Sequence, residues 1–142
     1  LKTYGGFYVS RIQKLSSRVF EKLLKEKRLD AFNGAQGRIL YVLWEHERLS
    51  FSDVGKLTSL AKTTLTSMID RMEENGLVKR IPDKEDRRQI FVSITEKAKK
   101  FRQKYDAISE EMNAIFYRGF SPSEIQQLDK MLERILSNLE NS

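Results

Sequence analysis

Apolar side chains recur at helical spacing near the start of the chain. Tyr8, Ile12, Leu15, Val19 and Leu23 form one stripe within residues 7–28, with Arg11, Lys14, Arg18, Lys22 and Lys25 around it. That spacing predicts an amphipathic helix. A basic helix of this kind can lie on a membrane surface. Its charges are spread and its apolar face is modest, so packing against other helices fits better. The pattern breaks from Leu29 to Asn33. Asn33 followed three residues later by Gln36 fits a capping box. It predicts a second helix over GAQGRILYVLWEHE, with Ile39, Leu40, Leu43 and Trp44 as the apolar face. Ser50 and Asp53 repeat the cap signal before a short helix, FSDVGKLT. Thr58, Ser59 and Leu60 form a brief connection to a further helix in AKTTLTSMIDRMEENG.

This helix divides by face. Leu65, Met68, Ile69 and Met72 stand at i, i+3, i+4 and i+7, which places them on one side. Thr63, Thr66, Ser67, Asp70 and Glu74 lie opposite or flanking. Asn75 and Gly76 predict a left-handed C-cap. A short helix, a tight turn and a helix with small polar residues near its start fit a helix-turn-helix, and equally an ordinary αα-corner. The next segment separates the two readings. Leu77 to Ile81 is strand-like and Pro82 ends it; the charged tip DKEDRR follows; then Ile90, Val92 and Ile94 alternate with Phe91 and Ser93 as in a half-buried strand. A hairpin directly after a helix-turn-helix is the order of a winged helix. The remainder is helical. Thr95 caps a helix expected to run through Lys97 to Tyr117, and Gly119 and Phe120 interrupt it. Ser121, Pro122 and Glu124 predict a strong helix start. Ile125, Leu128, Leu132, Ile135 and Leu139 then form the stripe of a last helix. The fold class is mainly α with a small β-hairpin wing.

Composition narrows the chemistry. At 142 residues the chain fits a single domain, 1–142. The net charge is +6, with the excess in residues 1–30 and 77–100, so a polyanion is a plausible partner. There is no cysteine, which removes disulfides, thiolate catalysis and thiol peroxide sensing. A reducing cytoplasm is the natural compartment. No apolar run approaches the ~20 residues of a membrane span, and no signal peptide is visible. The start at Leu1 suggests a trimmed N-terminus. The single histidine, His46, stands between Glu45 and Glu47, which point in different directions on a helix, and no second ligand stands at i+4. No metal, cofactor, phosphate loop or nucleophile–base pair is indicated, and catalysis is not expected.

The segment from Leu57 to Lys97 resembles the MarR family of bacterial transcription regulators. The match is strongest in ENGLVKRIPDKEDRRQIFVSITEKA. There, Glu73, Gly76, Leu77, Val78 and Arg80 follow the family's ending to the recognition helix, and Asp86, Arg87 and Arg88 its wing tip. Ser93, Ile94 and Thr95 follow its exit. Gly55 replaces a commoner alanine and Thr58 a usual apolar residue, so the first helix of the motif is expected to be looser. The resemblance implies a winged helix-turn-helix lobe at 30–95, flanked by dimerisation helices at 1–29 and 96–142. It implies a homodimer that represses transcription from a palindromic operator. It further implies that residues 61–75 are the recognition helix, in the major groove, and residues 82–89 the wing, in the minor groove.

The minor groove is narrow and negative, and suits a guanidinium better than an ammonium. The resemblance puts Arg88 there with Asp86 as its partner; two apart on an extended chain, they would share a face. Arg80, Lys84 and Arg87 are expected at phosphates. Thr63, Thr64, Thr66 and Ser67 can bond phosphates or base edges, Lys62 can reach guanine or phosphate, and Arg71 is better placed for phosphate. Relatives bind small aromatic or lipophilic effectors between the dimer helices and the DNA-binding lobe, which nominates Tyr8, Arg11, Tyr41 and Trp44; core packing of these aromatics is the competing reading. A winged helix used only for protein contacts, without specific DNA binding, is the alternative function.

Overall fold

A computed structural model describes residues 1–142. Seven helices and three strands follow in the order α1 (Gly5–Glu26), α2 (Gly34–His46), β1 (Arg48–Ser50), α3 (Phe51–Thr58), α4 (Lys62–Glu74), β2 (Val78–Pro82), β3 (Ile90–Ile94), α5 (Glu96–Lys99), α6 (Arg102–Phe116) and α7 (Pro122–Glu140). The chain forms two compact units, Leu1–Ser109 and Glu110–Ser142.

Local signals start α2 and α3 and stop α4 where the pattern predicts. Asn33 and Gln36 cap each other's backbone N–H at the start of α2. Ser50 Oγ accepts from the Asp53 N–H at the start of α3. α3 runs unbroken through Gly55, and the Thr58 hydroxyl donates to the Val54 carbonyl at 2.7 Å. Gly76 takes φ +74° after α4. The Leu77 and Gly76 amides bond back to Met72 and Glu73, which closes a Schellman turn that a Cβ would strain. One core unites these elements. Ile39, Leu40, Leu43, Val54, Leu65, Ile69, Met72 and Val92 are all fully buried in it.

Two expectations are corrected here. The sheet has three strands, in the order β1-β3-β2, not two. Leu49 pairs with Val92, and Arg80 pairs with Val92 from the other side. Three residues are too few to show an alternation, so β1 left no pattern. Pro82 ends β2 on a sheet edge, where its missing N–H is tolerated. Second, the helix after Thr95 is broken. Thr95 caps only the short α5, and the chain bends at Lys100 and Phe101 before α6. The bend lets Phe101 meet Phe32 edge-on at 6.0 Å and lets Arg102 donate to the Trp44 carbonyl at 3.0 Å.

In the second unit, Ser121 and Glu124 form the capping box of α7 with Pro122 in the first turn. The Tyr117 hydroxyl donates to Asp129 at 2.7 Å. None of the α7 side chains is buried. No helix of the chain is long and apolar enough to cross a membrane.

Candidate nucleic-acid interface

The buried face of α4 dictates what its other face shows. With Leu65, Ile69 and Met72 in the core, Lys62, Thr63, Thr64, Thr66, Ser67 and Arg71 are exposed. The Thr66 hydroxyl donates to the Lys62 carbonyl at 2.8 Å. With its proton so used, Thr66 offers an outside partner lone pairs and a methyl group.

α3, α4 and the hairpin enclose a cleft of about 890 Å³. Lys56, Lys62, Arg80 and Arg88 line it, with Ser52, Thr66 and Gln89, and no carboxylate does. Every charged side chain on the cleft is a cation, which favours an anion over a cation there. Sequence reasoning missed Lys56, Ser52 and Gln89. Only the folding of α3 against the wing brings them to Lys62, and nothing in their local pattern marks them.

The wing tip explains its own mixed charge. Asp83 Oδ1 accepts from the Glu85 N–H, and Asp86 Oδ1 from the Arg88 N–H, both at 3.0 Å. Each aspartate thus folds the loop onto itself as an Asx turn. The Gln89 N–H to Asp86 carbonyl bond closes a second turn over the first. Asp86 also accepts from Arg88 Nε at 3.2 Å. The pair meets because the chain turns there, not because it is extended as the spacing suggested. The Arg88 side chain remains 93% exposed, and Lys84 and Arg87 are exposed beside it.

Arg80 is placed differently. Its guanidinium donates to Asp70 at 2.5 Å and to Glu73 at 2.9 Å, and its own N–H donates to Glu73 at 2.9 Å. The backbone bond from Arg80, aided by its side chain, holds the Glu73 carboxyl below its ordinary range. Arg80 therefore ties β2 to α4 and offsets part of the charge of two carboxylates on the helix that carries the polar face. The Lys97 ammonium and the Thr95 hydroxyl bond the carbonyls of Asn75 and Gly76, and so fix the far end of α4.

The four nominated effector residues do not come together. Tyr8 and Arg11 are exposed on the first half of α1. Trp44 is a core residue, its ring tilted against Tyr105 at 5.1 Å, and its indole N–H donates to the Ala98 carbonyl at 3.1 Å. Tyr41 alone lines a cavity, of about 370 Å³, with Arg38, Val42, Leu57, Thr58, Tyr105 and Ser109. Burial raises the Tyr105 phenol above its ordinary range, so at neutral pH it is an uncharged donor there.

Residues 32–90 match the family model described as "MarR family". The HTH-type transcriptional repressor IacR of Pseudomonas putida is 29% identical over 134 residues, 94% of this chain and 78% of the relative. The organic hydroperoxide resistance transcriptional regulator of Bacillus subtilis (strain 168) is 33% identical over 100 residues, 70% of this chain and 67% of the relative. Among solved structures, AbfR of Staphylococcus epidermidis is 26% identical and superposes with a TM-score of 0.78, covering 96% of this chain and 90% of its own. Reduced AbfR has also been solved bound to DNA, and that form superposes with a TM-score of 0.72.

Proposed function

This chain belongs to the MarR family of DNA-binding transcription regulators, and from that premise we propose that it is a repressor reading an inverted repeat as a homodimer. The observation that carries the reading is the cationic, carboxylate-free cleft between α4 and the wing. Residues 61–75 enter the major groove, with Thr63, Thr64, Thr66 and Ser67 toward bases and phosphates. Lys62 reaches guanine or phosphate, and Arg71 a phosphate. Residues 82–89 follow the minor groove. Arg88 enters it, oriented by Asp86, while Lys84 and Arg87 meet phosphates. Arg80 acts through Asp70 and Glu73, because its guanidinium is committed to them. The α4 face holds no Asn or Gln for bidentate reading of adenine, so groove shape sensed by the wing supplies much of the specificity.

A duplex offers successive major grooves about 34–36 Å apart, which asks for two linked recognition helices. The exposed apolar stripes of α1 and α7 favour a second copy of this chain as what links them. The dimer works in the cytoplasm, where its DNA lies. An effector, where one acts, is a small and mostly apolar anion. The cavity of Tyr41 and Arg38 suits it better than Tyr8, Arg11 or Trp44, since it offers one cation among aromatic walls. The neighbour AbfR is known in reduced and overoxidised forms, but this chain carries no cysteine to oxidise.

Selection from random duplex at low salt, followed by footprinting, tests the proposal. An inverted repeat protected over two adjacent major grooves is expected. Binding of all sequences with equal affinity, or none, would favour the protein-contact alternative.

A further inference from the structure

Only part of α1 is held by the DNA-binding lobe. Leu24 is buried, and Phe20 and Leu23 pack on the core. Tyr4, Phe7, Tyr8, Ile12 and Leu15, nearer the start, are exposed. The angle at which the free half leaves the lobe is therefore set near residues 20–24. Apolar contacts there hold the helix by close packing but have no preferred direction, and a hydrogen bond adds one. Glu21 Oε1 accepts from the Gly34 backbone N–H at 2.5 Å.

Gly34 is the first residue of α2, and its amide has no partner within the helix. The positive end of the helix dipole favours a carboxylate at that position. The approach is also close enough that an added side chain would displace the Glu21 carboxylate. A Cβ on Gly34 would lie 2.8 Å from Glu21 Oε1 and 3.4 Å from Phe20 Cδ1. α2 itself is fixed, with Ile39, Leu40 and Leu43 fully buried. The bond thus bolts α1 to a rigid part of the lobe.

We propose that Glu21 is a positioning residue that sets the separation of the two DNA-reading lobes; this rests on the dimeric reading given above. The lever is long. From Glu21 to Tyr8 the helix extends about 20 Å, so a tilt of about ten degrees moves the far end by about 3 Å. That displacement is close to the ~3.4 Å rise of one base pair. Loosening the bond should blur half-site spacing without harming the reading of a single half-site.

The test uses the full chain and the operator selected by the wild type. Affinity is measured by fluorescence anisotropy for duplexes with the selected spacing, with one or two base pairs more or fewer, and for one half-site alone. The wild type should prefer its spacing by about tenfold or more. Glu21→Ala and Gly34→Ala should each reduce the preference to about threefold or less, with half-site affinity and dimer mass unchanged. Glu21→Gln keeps an acceptor oxygen and should retain the preference. Glu21→Asp, the milder change should Ala unfold the lobe, should lie between. A wild-type spacing preference in Glu21→Ala and Glu21→Asp would overturn the inference, as would equal losses on half-site and full site. A wild type indifferent to spacing would overturn the dimeric reading, and this inference with it.

Discussion

The helices α4 and α7 carry the same kind of apolar stripe and end in different environments. In α4, Leu65, Ile69 and Met72 disappear into the lobe, whereas in α7 Ile135, Leu136 and Leu139 stay 49%, 52% and 69% exposed. Burial of a large apolar side chain contributes about 1.5–3 kcal/mol. The first stripe collects that contribution within the chain, and the second leaves it for another surface. An amphipathic pattern therefore specifies that a face will be covered, and leaves open by what. The arginines of the hairpin repeat the contrast in polar form. Arg80 is tied to Asp70 and Glu73, while Arg88 is held at one edge by Asp86 and otherwise open. One braces β2 against α4, and the other is left exposed at the hairpin tip.

The largest effect should come from the α4 face. Ile69→Ala is expected to lower stability by about 2–5 kcal/mol in urea unfolding, at any protein concentration. If α7 instead meets a second copy, Ile135→Glu with Leu136→Glu should leave the lobe folded by circular dichroism. Sedimentation should then show a monomer, and operator affinity should fall by about 100-fold or more, as two tethered half-sites become independent. An unchanged dimer would show that α7 is covered by something else.

Arg88→Ala should weaken specific operator binding by about 1–3 kcal/mol with the melting temperature unchanged, and Asp86→Ala should do less, because the arginine remains but loses its orientation. Arg80→Ala should also weaken binding, and adding Asp70→Asn and Glu73→Gln should restore part of it. A residue that met phosphate directly would not be rescued by neutralising its neighbours. The depressed pKa of Glu73 gives the sign of the pH effect. Its contribution is full above the ordinary carboxylate range and is lost as pH falls through the lowered value, so the tie between β2 and α4 holds through mild acid. The smallest effect belongs to Lys84→Ala, which should lower the salt slope of binding by about one unit and leave sequence preference unaltered.

What the sequence by itself determined is what rests on contacts within a few residues. The caps of Asn33 with Gln36, Ser50 with Asp53 and Ser121 with Glu124 were legible, as were the glycine stop at Gly76 and the buried face of α4. Each depends on partners no more than a turn or two away. The Asp86–Arg88 contact was legible as a pair, although the turn that makes it was not. Only the tertiary structure decided β1, whose strand identity comes from pairing with β3 more than forty positions later. The same holds for Trp44, which turns inward to Ala98, for the bend that brings Arg102 to Trp44, and for the bond between Glu21 and Gly34. Arg80 read as a phosphate ligand because its basic, edge-strand position is visible locally, while the two carboxylates that claim it lie on another element. Local hydrogen bonds and periodicity are written into short windows of chain. Which distant groups satisfy a side chain is settled only when the core closes and fixes their directions.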